Sequence, residues 1–287
     1  MMYGEEFKKL RLEKQLTIAD TASGIMSISL LSKFERGLCE ITVSKFVKIL
    51  ERVNVTLSEF ELIVSNFQKS RMMQLLDELR ESYLKKEFDK IEVIIANELD
   101  LWKNTGHIRH RYNSTMFSIV YDELRDTNTT KEKDIEFLTD YLFSIEDWTQ
   151  YELILYGNSV AGIKFNAMML LSNELIHKTR YFQNNAAHRK MIAQILLNST
   201  IVCLMKNELD ISLNFQNEIS QLLTSEHYLH ERNVLNFCNG IYLYKKGNTI
   251  EGEKKIDAAL TIFKQLGSDH LAANFTEFFE DVKNSKS

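Results

Sequence analysis

Proline is missing altogether from the 287 residues, glycine occurs only ten times and cysteine three times. At ordinary usage, near 5%, about fourteen prolines would be present. Their absence removes the residue that interrupts helices and punctuates the turns of β-rich chains. With few breakers left, long helices joined by short polar turns are expected, and the chain reads as all-α. Cys39, Cys203 and Cys238 are odd in number and lack metal-ligand spacing. They read as idle thiols, with Cys39 in a loop expected to be exposed and therefore open to redox chemistry. No apolar run approaches the roughly 20 residues needed to cross a bilayer. The start, Met1 to Leu10, is charged and has no apolar signal core. A cytoplasmic protein without membrane contact is expected.

Chemistry-bearing motifs are missing as well. There is no Walker loop, nucleophile elbow or H-E-x-x-H run. Gly157 to Gly162 follows no strand and has the wrong glycine spacing for a dinucleotide site. The i,i+3 pairs His107/His110 and His227/His230 have no nearby cysteine or third ligand. Neither an enzyme nor a metal- or cofactor-dependent protein is indicated.

What is present suits a folded, aromatic-rich core: 44% hydrophobic residues, 17 Phe and 11 Tyr. The net charge is −5, which argues against a nucleic-acid partner at first sight. Residues 1–66, however, carry nine basic and nine acidic side chains, so the deficit lies entirely in the remainder. A neutral segment still binds DNA when its cations share one face.

The first 67 residues divide into five short helical segments. Phe7, Leu10 and Leu12 pattern the first, over 5–14. Thr17 opens the second, which Gly24 ends. Ser27 is the candidate N-cap of the third, over 28–36, with Gly37 placed to end it. A fourth runs from 42 or 43 to 53. A fifth runs from Ser58 to about Phe67, with Ser58 and Glu61 as its capping box. The tight turn between the second and third is what a helix-turn-helix requires: one helix braces while the next enters the major groove. Residues 68–287 form the second predicted domain, a series of long amphipathic segments over 71–86, 88–103, 108–125, 132–145, 147–160, 163–178, 187–206, 208–224, 228–246, 249–265 and 268–283, with polar breaks and no Ser/Gly linker before them. Near the end, Gly240, Tyr244, Gly247, Gly252, Ala258, Ala259 and Phe263 show a small/aromatic rhythm like that of a tetratricopeptide repeat; Leu76, Tyr83, Phe88 and Ile95 echo it. Such helical hairpins stack around a groove that binds peptides or proteins.

The stretch Ser27-Ile-Ser-Leu-Leu-Ser-Lys-Phe-Glu-Arg-Gly37 resembles the recognition-helix signature of the Xre/Cro-type helix-turn-helix, and Phe46 to Phe60 matches the helices that follow. The chain departs from that pattern at Thr17-Ile18-Ala19, where many relatives have a glutamine. Length, head and the segments Leu138 to Trp148, Tyr151 to Asn158 and Ile262 to Gly267 resemble the Rgg/GadR/MutR family of Gram-positive regulators across essentially the whole chain. The resemblance implies a homodimeric transcription factor on a double-stranded operator, with a short peptide as ligand in quorum sensing. Some members carry a cysteine where this chain has Val43, so their inter-subunit disulfide is not carried over to Cys39.

On this reading Ile28, Ser29, Ser32 and Lys33 face the major groove, while Ser27 and Arg36 contact phosphates or cap the helix. Lys8, Arg11 and Lys14 are candidates for the DNA backbone, with a solvated helix face as the competing reading; for Arg36 the competing reading is a local ion pair with Glu35, and Leu31 and Phe34 belong to the core. In the sensor, Asn158 is the leading ligand contact, because a carboxamide pairs with both N–H and C=O of a peptide. Asn166, Asn173, Arg180, Tyr181, Asn207 and Asn214 extend such a wall, and Tyr156, Phe165 and Tyr181 offer apolar pockets. Two alternatives stay open: the same fold answering pH, a metabolite or a protein, and a helical-repeat scaffold that does not bind DNA.

Overall fold

The computed structural model describes residues 3–85, 87–182 and 185–284; these carry sixteen α-helices and one short 3-10 turn, with no strand among them. Two compact units result, Met1–Glu81 and Ser82–Ser287.

The first unit holds α1 (Tyr3–Glu13), α2 (Ile18–Ala22), α3 (Ile28–Glu35), α4 (Val43–Arg52) and α5 (Leu57–Val64). Each helix start except the first is fixed by a threonine or serine hydroxyl that accepts an otherwise unpaired backbone N–H: Thr17, Ser27, Thr42 and Thr56. The fifth helix corrects the expected box. Thr56 and Glu59 form it, not Ser58 and Glu61, because the earlier start turns Phe60 into the core. That core joins Phe7, Leu31, Phe34, Ile49, Leu50, Val53 and Phe60, with Phe46 edge-on to Phe34 and Phe60. Each such phenyl ring removed from water contributes about 1.5–3 kcal/mol. Leu12 is exposed instead, and Cys39 is half-buried against this core, not in an exposed loop. A Cβ on Gly4 would lie 1.8 Å from the Phe34 carbonyl oxygen, so only glycine lets α1 meet α3 this closely.

The division between the units falls inside α6 (Arg71–Lys85). The second unit continues with α7 (Phe88–Thr105), α8 (Arg109–Arg125), α9 (Glu132–Ser144), α10 (Gln150–Gly157) and α11 (Phe165–Lys178). The 3-10 turn at Arg180–Phe182 precedes α12 (Ala186–Met205), α13 (Leu209–Leu222), α14 (Leu229–Lys245), α15 (Thr249–Gln265) and α16 (Asp269–Asn284). α7 with α8, α12 with α13 and α14 with α15 pair as hairpins, and α12 packs on both α10 and α14. The helix expected over 147–160 is shorter. Trp148 is fully buried, its N–H donating to the Lys178 carbonyl at 2.6 Å and its indole N–H to Leu142 at 3.2 Å, which holds the chain extended until Thr149 and Glu152 cap α10. The repeat-like rhythm has a physical basis at α14 and α15. A Cβ on Gly252 would lie 2.7 Å from the Tyr244 nitrogen and 2.8 Å from the Gly240 oxygen. Ala259 and Phe263 are buried beside this contact, whereas Ala258 faces solvent.

Candidate nucleic-acid interface and sensor cleft

The candidate DNA-reading helix is α3. Ser27 caps its start, its hydroxyl accepting from the Leu30 N–H at 3.2 Å. Leu31 and Phe34 anchor one side in the core, which turns Ser27, Ile28, Ser29 and Lys33 to solvent and leaves Ser32 half-exposed. Ile28 is 52% exposed and apt for a thymine methyl. Arg36 is exposed, its Nε donating to the Ser32 carbonyl at 3.2 Å, so it caps the end of α3. Lys8 and Lys14 are exposed as well.

Arg11 overturns its expectation. It is buried: Nε donates to Glu35 Oε1 at 2.6 Å, Nη2 to Glu35 Oε2 at 2.8 Å and Nη1 to the Leu16 carbonyl at 2.7 Å. The carboxylate beside it raises the guanidinium further above its already high range. Arg11 therefore braces α3 from behind and cannot reach a phosphate, and Glu35 pairs with it and not with Arg36. Arg52 braces α2 similarly, donating to the carbonyls of Asp20 and Ser23.

In the second unit the expected ligand wall is dispersed. Tyr156 is fully buried; its hydroxyl donates to the Met168 carbonyl at 2.9 Å and bonds to Ser172 at 2.6 Å, and burial pushes the phenol above its ordinary range. It is a core residue, not part of an open pocket wall as expected. Asn158 ends α10, half-exposed, with Nδ2 donating to the Ile154 carbonyl at 2.8 Å. Asn166 and Asn173 share the exposed side of α11, seven residues apart. Phe165 lies under the Lys206 ammonium. Arg180 pairs with Asp147 at 3.2 Å and Glu146 at 3.6 Å while stacking on the 70%-exposed ring of Tyr181. Asn207 sits at φ 61°, the left-handed turn after α12, and Asn214 is exposed on α13. His110 is held by Glu98, Nδ1 to Oε2 at 2.8 Å, in the interior. Burial pushes the Cys203 and Cys238 thiols up to about 12, which leaves both unreactive near neutrality.

The polar concavity lies elsewhere. Ser220 and Leu223 at the end of α13 and Arg232, Leu235, Asn236 and Asn239 on α14 enclose a cleft of about 350 Å³. Asn236 donates to the Lys255 carbonyl at 3.3 Å and Asn239 to Leu235 at 2.9 Å, while Arg232 Nη2 donates to Leu223 at 2.8 Å. Sequence reasoning missed these residues. Their i, i+4, i+7 spacing along one helix side was the available signal.

Residues 95–277 match the family described as HTH-type transcriptional regulator Rgg, C-terminal domain. Among solved structures, the SHP pheromone receptor Rgg2 of Streptococcus dysgalactiae is 31% identical, over 97% of this chain and 99% of that one, with a TM-score of 0.81. A candidate transcriptional regulator of Listeria monocytogenes EGD-e (19% identity, 99% and 98% covered, TM-score 0.84) and the PrgX/cCF10 complex (18%, 98% and 99%, 0.73) share the fold.

Proposed function

The chain belongs to the Rgg family of helix-turn-helix transcriptional regulators, and from that premise we propose that it is a homodimeric, cytoplasmic regulator that binds operator DNA through α3 and answers a short, apolar-leaning peptide. The observation that carries the DNA half is the exposed side of α3: Ser27, Ile28 and Ser29 at its start and Lys33 in its last turn stand clear of the core that holds the helix. Side chains at the start of a recognition helix are those that reach base edges, while Ser27, Arg36, Lys8 and Lys14 are suited to phosphates. Two copies read two half-sites. The peptide half is supported by the similarity to Rgg2, which is described as a pheromone receptor, and by the carboxamides Asn158, Asn236 and Asn239 in the helical-hairpin unit. Peptide binding alters operator occupancy through its different affinity for two states of the dimer.

A mobility-shift measurement on DNA upstream of the protein's own gene tests this. Saturable binding that survives competitor DNA is expected; its absence would leave a helical-repeat scaffold as the reading. Light scattering is expected to give a mass about twice 33.6 kDa, and a mass near 33.6 kDa at micromolar concentration would remove the dimer.

A further inference from the structure

We propose that the cleft between α13 and α14 is a subsite for the free C-terminal carboxylate of the peptide, with Arg232 as its anchor and Asn239 as the contact for the chain upstream. The inference rests on the peptide reading above and adds a polarity to it.

The argument begins with charge. Arg232 is exposed at the cleft, and no carboxylate among the described residues lies within 4.0 Å of it. Most exposed arginines are free to wander, but this one is fixed: Nη2 donates to the Leu223 carbonyl at the end of α13. One of five guanidinium N–H groups is thereby engaged, and the others remain for a planar, two-oxygen acceptor. A carboxylate fits that fork, and the terminal carboxylate is the one every unmodified peptide carries.

The neighbouring residues match what precedes such a terminus. Leu223 and Leu235 are buried and form an apolar floor for one side chain. Asn239 lines the cleft and directs Nδ2 back to the Leu235 carbonyl, which leaves its Oδ1 as the acceptor for a ligand N–H. Arg232 and Asn239 are seven residues apart, about 10 Å along a helix axis. An extended peptide covers that length in about three residues. The carboxylate on Arg232, an apolar side chain over the floor and a backbone N–H on Asn239 Oδ1 are therefore compatible in one short strand. Asn236 lies between them, locked by Lys255 through both ends of its amide, and serves to hold the wall.

The test uses the full-length protein and two octapeptide libraries built without Asp or Glu, one with free C-terminal acids and one with C-terminal amides. In the free-acid library the terminal carboxylate is then the sole anion. Bound peptides are recovered by gel filtration and identified by mass spectrometry, then titrated individually. The expected result is recovery from the free-acid library alone, with binding weakened about 10- to 100-fold by Arg232→Gln. Arg232→Lys, which keeps the charge and loses the fork, is expected to fall between; it also serves if Arg232→Gln does not fold. Equal recovery from both libraries, or full affinity in Arg232→Gln, overturns the carboxylate site and leaves the peptide reading standing. Recovery from neither library overturns the peptide reading, and this inference with it.

Discussion

Arg11 and Glu35, twenty-four positions apart, meet through two parallel hydrogen bonds, Nε to Oε1 at 2.6 Å and Nη2 to Oε2 at 2.8 Å, both side chains buried. Removing one partner leaves the other charged and without solvent, which costs about 3–5 kcal/mol. Arg11→Ala is expected to unfold the head unit at lower denaturant and to lose operator binding in proportion. Replacing both by Met and Leu restores much of the stability. A single variant as stable as wild type would show that the pair does not hold α3.

Lys33 is exposed on α3 and makes no ion pair among the described residues. Lys33→Ala is expected to weaken specific operator binding by about 1–3 kcal/mol with an unchanged melting temperature. The readout is a titration at fixed salt. Wild-type affinity would place the base-reading register elsewhere on α3.

Gly252 allows α15 to lie against α14 with backbone nearly in contact. A methyl group there meets the Tyr244 nitrogen and the Gly240 oxygen, neither of which moves without shifting a helix. Gly252→Ala is expected to destabilise the second unit by about 1–3 kcal/mol, measured by urea unfolding. Gly106, at φ 71° with open space around it, is a control in which strain comes from the backbone alone.

Asp122 closes the turn after α8. It accepts hydrogen bonds from the hydroxyls of Thr127, Thr129 and Thr130 and from the N–H groups of Thr129 and Thr130. Burial pushes its carboxyl up, but the Thr130 and Thr129 bonds outweigh it and hold the group well below its ordinary value of 3.8. The folded chain thus takes up this proton less readily than the unfolded one. The stabilisation is present in full above the ordinary carboxyl range, begins to decline as the pH falls through about 4, and is gone only in the stronger acid that protonates the folded group. Asp122→Asn is expected to cost about 1–3 kcal/mol near neutrality and somewhat less near pH 3, where the unfolded chain but not the folded one has begun to take up the proton, followed by thermal melts. An equal cost at both would assign the loss to packing.

How far these features were legible in the sequence depends on how local they are. Ser27, Thr17 and Gly37 announce their turns because a cap and its partner lie within three or four residues. The long helices follow the 3.6-residue rhythm, undisturbed by proline, and their ends fall within a few residues of expectation. Arg11 was misread because its partner lies on another helix, and nothing local separates a solvated arginine from a buried one. Tyr156 was misread for the same reason, since its hydroxyl is satisfied by Met168 and Ser172 across α11. Ser58 and Glu61 matched the capping pattern as well as Thr56 and Glu59 did; only the need to bury Phe60 decides between them. Asn236 and Asn239 escaped notice because the buried positions of α14 dominate its pattern, and the cleft exists only once α13 is alongside.

Trp148, sealed beneath Tyr156 and Lys178, has a single companion, Trp102, and both belong to the second unit. The head contains phenylalanine and one tyrosine but no indole. Light absorbed only by tryptophan is therefore emitted by the sensor alone. Its colour and polarisation report one half of the molecule, while loss of the head's structure passes unseen. An indole placed at exposed Val43 would give the silent half its own emission.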